Sequence, residues 1–392
     1  MKVIGLMSGT SADGVDAALV EITPGGDRPA LRVVAWETLA YPAGLRQRIL
    51  AVASGGTTAE VCHLDAYLGE LFAEAAVQVA CNAGVPLADV DLIGSHGQTI
   101  HHLPAARPEG AHVVRSSLQI GEPAVIAERT GVTTIADFRP RDLAAGGEGA
   151  PLTPIVHHAL FARSDRGRVV LNLGGIANVT VLPAGSPSSA VTGFDTGPGN
   201  VLVDEFVRVT GLSPMGYDEN GRLAAAGQVQ PDLLRDLVAH PFIRRGPPKS
   251  TGRETFGPGF VDDFRRRLRA AGVGDRDGLA TLTSFTVEAV VRNLRDFVFP
   301  KVEVHEVVVT GGGARNAFMM RRLAEALPEC TVASSDDIGF PGRALEAVAF
   351  AWLAYLTATG QPGNLPAVTG ARGARVLGCI VPGDTFQGLT GR

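Results

Sequence analysis

The sequence predicts a duplicated α/β fold built from two halves. A strand, a glycine turn and a strand open the chain at VIGLMSGTSADGVDAALVEI, and the pattern returns near residue 168 as RVVLNLGGIANVTVLP. Behind each opening, apolar strands alternate with stretches of helical periodicity, the sign of sheets layered with helices. A length of 392 residues accommodates two or three domains at about 100–200 residues each.

The elements follow in order. KVIGLM, residues 2–7, reads as a buried strand, with SGTSADG as its turn. VDAALVEI and LRVVAWETLAY complete an N-terminal meander. Residues 58–83 carry apolar side chains at helical spacing, and Gly84 supplies a stop. VDLIGSHGQT is a strand ending in a polar loop, and HVVRSSLQI and VTTIADF are strands around a helix, EPAVIAERTG. In the second half, helices are expected at 200–210, 231–243, 258–271 and 278–298. A strand, HEVVVTGGG, then feeds the helix ARNAFMMRRLAEAL, and a last helix, RALEAVAFAWLAYLTAT, precedes a Pro/Gly-rich tail.

Composition narrows the class. At 45% hydrophobic and 19% charged residues the chain can build sizeable cores and is far from disordered composition. A net charge of −5 gives no electrostatic reason to expect nucleic acid or an anionic membrane as partner. The glycine–hydroxyl cluster after residue 7 ends the first apolar run too early for a secretory signal, and no run approaches the roughly 20 residues that span a bilayer. Cys62, Cys81, Cys330 and Cys379 are scattered, without a CxxC pair, and read as reduced thiols of a cytosolic protein. The 49 glycines suggest tight turns and close backbone approaches of the kind phosphate-binding loops need.

Several segments could carry chemistry. In GLMSGTSADGVD, Gly5 to Asp16, a turn of Gly, Ser and Thr offers N–H groups and hydroxyls to phosphate oxygens, and Asp13 and Asp16 could hold Mg²⁺ beside them. An ordinary hairpin turn with solvated aspartates is the alternative. No GxxxxGK[ST] is present, so this is not a P-loop enzyme. LNLGGIANVT occupies the equivalent place in the second half, where Gly174, Gly175 and Asn178 suit a nucleotide's phosphates. VVVTGGGARN, Val307 to Asn316, joins a strand to a helix through three glycines, which suits a nucleotide against bare backbone. In GFDTGPGN, Asp195 sits at a glycine/proline loop leading into a helix, as a general base or as a helix cap. In GSHGQTIHH, His96, Gln98 and Thr99 suit polar contacts to a sugar better than a zinc site. ADFRPRDLAAGGEGAPL and PPKSTGRETF each place cations among turn residues, suited to a sugar carboxylate or phosphate, or form irregular surface loops.

Taken in order, GLMSGTSADGVD, SHGQTIHH, ADFRPRDLAAGGEGAPL, LNLGGIANVT, GFDTGPGN, PPKSTGRE and GGGARN resemble the anhydro-N-acetylmuramic acid kinases, of the actin, sugar-kinase and heat-shock chaperone superfamily. The resemblance runs from Gly5 to Ala354. It implies a two-domain, actin-like ATPase (ribonuclease H-like) fold with the active site in the interdomain cleft. The domains expected are 1–136 plus 350–392, and 137–349. ATP and Mg²⁺ are the implied cofactors, a small amino sugar the substrate and a homodimer the family's expectation, without nucleic acid or membrane. Nucleotide contacts map onto Gly9, Thr10, Ser11, Ala12, Asp13, Gly14, Val15 and Asp16, onto Asn172, Gly174, Gly175 and Asn178, and onto Gly311, Gly312, Gly313 and Asn316, with the metal at Asp13 and Asp16. Sugar contacts map onto His96, Gly97, Gln98, Thr99, Arg139 and Asp142, and Asp195 and Glu346 take the catalytic places. Ala12 stands where a larger aliphatic residue is common in the family, and Glu148 where Gln is usual.

The chemistry the resemblance implies is a coupled one, from cell-wall turnover. Water attacks C1 of a 1,6-anhydro sugar while O6 captures the γ-phosphoryl group of ATP, with Asp195 as base, as a carboxylate activates water in inverting glycoside hydrolysis. An ordinary hexose or N-acetylhexosamine kinase of the same fold is the rival enzyme. A non-catalytic sugar sensor or chaperone-like module would need a DNA-binding or peptide-binding appendage, for which these elements leave no room.

Overall fold

In the computed structural model, residues 1–9, 11–25 and 29–384 are described. Along the chain the strands are β1 (Lys2–Ser8), β2 (Gly14–Thr23), β3 (Ala30–Ala40), β4 (Leu92–Glu109), β5 (His112–Ile120) and β6 (Thr134–Ala136). They continue as β7 (Arg168–Leu173), β8 (Ile176–Leu182), β9 (Thr192–Pro198), β10 (Glu306–Thr310), β11 (Thr331–Ser334) and β12 (Cys379–Val381). Two compact units divide them: Met1–Leu160 with Arg343–Arg392, and Phe161–Gly342.

In the first unit a seven-stranded sheet has the order β12-β6-β4-β1-β2-β3, with β5 paired to β4. β1, β2 and β3 form an antiparallel meander, while β4 lies parallel to both β1 and β6. The helix Thr58–Asn82 begins where Thr57 accepts the N–H of Glu60, and it buries Leu64, Leu68 and Phe72 in the core. The helix Leu345–Ala358 rests on bare backbone. Gly5 and Gly94 are partners across β1 and β4, and a Cβ at either would lie 1.8 Å from the Ala347 carbonyl oxygen or 2.1 Å from that of Phe350. That pair of glycines brings the start of the helix, with Glu346, against the end of β1.

The second unit repeats the plan. Its five strands run β11-β10-β7-β8-β9, with β7, β8 and β9 antiparallel and β10 parallel to β7 and β11. This is the order β6-β4-β1-β2-β3 of the first unit, so the echo between the two openings is a repeat of topology. β7 and β10 read RVVLNL and EVVVT because both lie inside a parallel arrangement covered on its two faces. The helix Asp275–Asn293 is buried nearly all round, packing Leu279, Leu282, Phe285 and Val290 into the core with Phe206 and Val307.

The units divide near residue 160, whereas the sequence reading sets the boundary after 136. Residues 137–160 belong with the first unit because Asp142 bonds Asn364 and Thr369, and Arg139 bonds His96. Other differences are local. The stretch 231–243 is two helices, Pro231–Val238 and Pro241–Arg244, since the residue before a proline is pushed out of helical geometry. GFDTGP is strand β9, not loop, and β4 continues through 103–109 despite Pro104 and Pro108. No helix among the described residues is long and apolar enough to cross a membrane.

Candidate active site

In the first unit the expected residues gather around the end of β1. The turn after β1 closes with the Ala12 N–H donating to the Gly9 carbonyl, and Ala12 holds φ +50. Ala12 and Val15 are buried, backbone included, so within this turn it is Ser11 and Asp13, both exposed, that can meet a ligand. Thr10 lies outside the described residues. Ser11 donates to Asp13 Oδ1 at 2.8 Å, and Thr38 on β3 donates to Asp16 Oδ1 on β2. Burial raises the Asp16 carboxyl, Thr38 opposes this, and the Asp13 charge adds to the rise. Gly14 is required by packing, because a Cβ there would meet the Leu39 carbonyl oxygen at 2.5 Å.

β4 supplies the next layer. Gln98 donates to the Gly9 carbonyl at 3.2 Å, and its Oε1 lies 2.7 Å from Ser8 Oγ, tying β4 to the hairpin. Thr99 accepts from Gln119 at 3.2 Å. His96 is 4% exposed, with Nδ1 2.9 Å from the Gly97 carbonyl and Nε2 accepting from Arg139. Only the neutral ring with its proton on Nδ1 satisfies both. Burial, reinforced by the Arg139 charge, pushes its pKa down to about 3. Gly97 itself adopts φ +74 under the Ile120 carbonyl, which leaves no room for a side chain. Glu346 stands in the first turn of its helix, with a side chain that reaches solvent. Crowding by protein raises its carboxyl, the Asp16 charge adds to this, and Arg139 opposes it.

Asp142 takes a different role from the one its motif suggests. It is fully buried, its Oδ1 accepting from Asn364 at 2.6 Å and Thr369 at 2.8 Å and its Oδ2 from the Gly149 N–H at 2.8 Å. Those bonds occupy both oxygens and fasten the 145–149 loop, so the carboxylate is a clamp behind Arg139 rather than a surface for a sugar.

In the second unit a polar row crosses the sheet. Thr310, Asn172, Asn178 and Asp195 are register partners on β10, β7, β8 and β9. Paired residues on adjacent strands point to the same face, so these side chains line up beside the two glycine turns. Asp195 accepts the Thr251 N–H at Oδ2, 2.9 Å, while its own N–H donates to the Lys249 carbonyl at 3.1 Å. Burial raises its carboxyl; the Thr251 amide and the Lys249 charge oppose this, and Glu254 adds to it. The strand placement removes Asp195 from a helix-capping role.

The glycines of this unit separate into two kinds. A Cβ would find nothing nearer than 3.6 Å at Gly174, 4.0 Å at Gly175 and 3.5 Å at Gly312, so a methyl would fit at each without a clash. At Gly311 (φ +77) it would meet Asn172 Oδ1 at 2.5 Å, and at Gly313 the Leu173 Cβ at 2.5 Å. Those two are glycines for packing and conformation. Asn316 is a helix cap, accepting the Met319 N–H at 3.0 Å, which commits its side chain to the helix Ala317–Ala326. Sequence reasoning passed over Asn200, whose side chain donates to the Leu173 carbonyl at 2.8 Å while its N–H closes the Gly174 turn. Its place at the end of GFDTGPGN, ahead of a helix, is the signal that could have found it.

Comparison with known proteins gives the family. The family described as Anhydro-N-acetylmuramic acid kinase matches residues 1–383. The chain belongs to the anhydro-N-acetylmuramic acid kinase family. It is 44% identical over 380 residues to the anhydro-N-acetylmuramic acid kinase of Caldanaerobacter subterraneus subsp. tengcongensis, covering 96% of each chain. To the enzyme of that name from Gloeobacter violaceus it is 46% identical over 381 residues, covering 97% of this chain and 98% of the relative. The corresponding Salinibacter ruber protein is 42% identical over 384 residues, with 97% and 96% covered. Membership makes the chain a kinase, and its fold is the duplicated α/β arrangement that the two sheets display.

Proposed function

We propose that the chain uses ATP to open the 1,6-anhydro ring of 1,6-anhydro-N-acetylmuramic acid hydrolytically and to phosphorylate O6, giving N-acetylmuramic acid 6-phosphate and ADP. The observation that most supports a hydrolytic step is the state of Asp195. Its Oδ2 is fixed by the Thr251 amide, and among the described residues Oδ1 has no hydrogen-bond partner and remains for a water. A carboxylate raised by burial is a better base near neutral pH than a solvated one.

Each residue then has a task. Asp195 Oδ1 takes the proton of a water whose oxygen bonds to C1. The C1–O6 pair moves onto O6, which accepts the γ-phosphoryl group as the bond to ADP breaks. No separate acid is needed at the leaving oxygen. Gly174, Gly175 and Gly312 let phosphates approach backbone. Asp13 and Asp16 stand beside the N-terminal hairpin, and two carboxylates with phosphate oxygens are the usual protein share of a Mg²⁺ site. Mg²⁺ bound there supplies charge neutralisation to the phosphates. The three nitrogens of the Arg139 guanidinium differ in duty: Nε and one terminal nitrogen serve His96 and the other donates to the Gly149 carbonyl, which holds the group rigidly for a sugar carboxylate. ATP as donor places the reaction in the cytoplasm.

The test is ADP release with Mg-ATP and the anhydro sugar, beside plain N-acetylmuramic acid and N-acetylglucosamine, with mass analysis of the product. Turnover of the anhydro sugar to a product heavier by one water than simple phosphorylation gives is the expected result. Asp195→Asn should abolish it while ATP still binds. Turnover of the open sugars alone would instead make the chain an ordinary amino-sugar kinase.

A further inference from the structure

Lysine is almost never fully buried without a partner, yet Lys249 is 6% exposed. Its Nζ donates to the carbonyls of Phe242 at 3.0 Å and Ile243 at 3.2 Å, and it lies 4.8 Å from the ring centre of Phe242, 5.3 Å from that of Phe297 and 6.0 Å from that of Phe194. The ammonium therefore points inward and cannot serve the sugar carboxylate or phosphate that its motif suggests. Two carbonyls need only neutral N–H donors, which bury with less desolvation than an ammonium. What a cation adds is charge, and the nearby carboxylate on the reacting strand is that of Asp195, two residues from whose anchor, Thr251, Lys249 sits.

We propose that Lys249 is a positioning residue for the reaction: its ammonium fastens the 247–251 loop so that the Thr251 N–H meets Asp195, and its charge favours the carboxylate form of Asp195. This rests on Asp195 being the base. The backbone tie is direct, since the Asp195 N–H donates to the Lys249 carbonyl and the Thr251 N–H returns to the Asp195 carboxylate. The anchor is also firm: the Ile243 carbonyl is shared with Asn293, which reaches Thr196 on β9 as well. The charged groups facing Asp195 are Lys249 and Glu254, and those facing Lys249 are Asp195, Arg245 and Asp296. Burial and then Arg245 bring the Lys249 ammonium down to about 8, with Asp195 and Asp296 holding it up. Lys249 and Asp195 thus stabilise each other's charged forms at neutral pH.

The experiment compares wild type, Lys249→Gln and Lys249→Arg as full chains, measuring kcat and KM for the anhydro sugar across pH at saturating Mg-ATP. The glutamine removes the charge and turns an amide NH2, one bond shorter in reach, toward the two carbonyls. Its acidic limb should move up by about half a pH unit or more, with the plateau at higher pH largely kept, and arginine should restore the limb. A lower plateau with an unmoved limb would reduce Lys249 to a structural role and overturn the proposal. Should the glutamine variant not fold, lysine side-chain NMR titration of wild type and Asp195→Asn carries the same question. The Lys249 ammonium should titrate lower in Asp195→Asn, and an unchanged titration overturns the coupling. Normal turnover by Asp195→Asn would sink the reading of Asp195 as base, a result separate from either of these.

Discussion

Arg139 donates to Nε2 of His96 through two of its nitrogens, at 3.1 and 2.9 Å, and so locks a buried histidine neutral. The folded ring titrates at about 3, against 6.5 for a free one. Below pH 6.5 the unfolded chain takes up a proton that the folded chain refuses, so His96 removes stability as the pH falls from there toward 3. The cost approaches about 1.4 kcal/mol per pH unit on the steep part of that window. His157, pushed by burial down to about 4, acts with the same sign. His96→Gln should therefore lose less stability than wild type between about pH 7.5 and 5.5 when urea midpoints are compared. Imidazole NMR should show no His96 titration in that range; a midpoint near 6.5 would mean that the Arg139 contact does not hold the ring.

Gly94 and Gly5 make a second, steric prediction. A methyl at residue 94 would sit 2.1 Å from the Phe350 carbonyl oxygen and 2.8 Å from Ala354 Cβ, and neither is the tip of a flexible side chain. Gly94→Ala must push the helix Leu345–Ala358 off the sheet, at a cost of roughly 3 kcal/mol or more. Gly259, in the first turn of the helix Pro258–Ala270, has nothing within 4 Å of its would-be Cβ. Gly259→Ala should be neutral or stabilising by up to about 1 kcal/mol. Thermal denaturation of the two variants checks the contrast, and equal midpoints would contradict it.

How much of this was legible beforehand depends on the range of the interaction. The two hairpins show because glycines and hydroxyls interrupt otherwise unbroken apolar runs at Leu6–Val15 and Leu171–Val179, a local signal. β9 escaped because TGFDTGP carries the residues of a turn, and only its pairing with β8 makes it a strand. The His96–Arg139 bond spans 43 positions and the Asp142–Asn364 bond spans 222, beyond the reach of any local pattern. For the same reason the motif ADFRPRDLAAGG discloses that Arg139 and Asp142 matter, without disclosing that Asp142 is sealed and Arg139 is braced. Asp195 is visible as a carboxylate among glycines, but its Thr251 partner, 56 residues on, is supplied by the fold alone.

The pair at the N-terminal hairpin predicts a metal effect. Asp16 is held by Thr38 and faces Asp13, so removing one carboxylate leaves the turn closed by its backbone but halves the charge offered to a cation. Asp16→Asn and Asp13→Asn should each raise the Mg²⁺ concentration for half-maximal turnover by about tenfold or more, with partial rescue at high Mg²⁺. Thr38→Val, which deprives Asp16 of its donor, should produce a smaller shift of the same sign. Half-saturation in Mg²⁺, titrated at fixed ATP, is the readout; no shift in either Asp variant would move the metal elsewhere.

The two kinds of glycine in the second unit give the sharpest separation of fold from function. At Gly175 a methyl meets nothing closer than Val201 Cβ at 4.0 Å, so Gly175→Ala should fold with a thermal midpoint close to that of wild type. If phosphates approach that backbone, the same methyl intrudes on them, and KM for ATP should rise about tenfold or more while KM for the sugar stays put. At Gly313 the methyl would meet Leu173 Cβ at 2.5 Å, where the turn after β10 packs on the end of β7, so Gly313→Ala should lose stability by roughly 1–3 kcal/mol. Both substitutions add one carbon to a glycine of a predicted nucleotide loop, and they should fail in opposite ways. A Gly175→Ala enzyme with unchanged ATP kinetics would take the phosphates away from the Gly174–Gly175 turn, whatever the fate of the rest of the site.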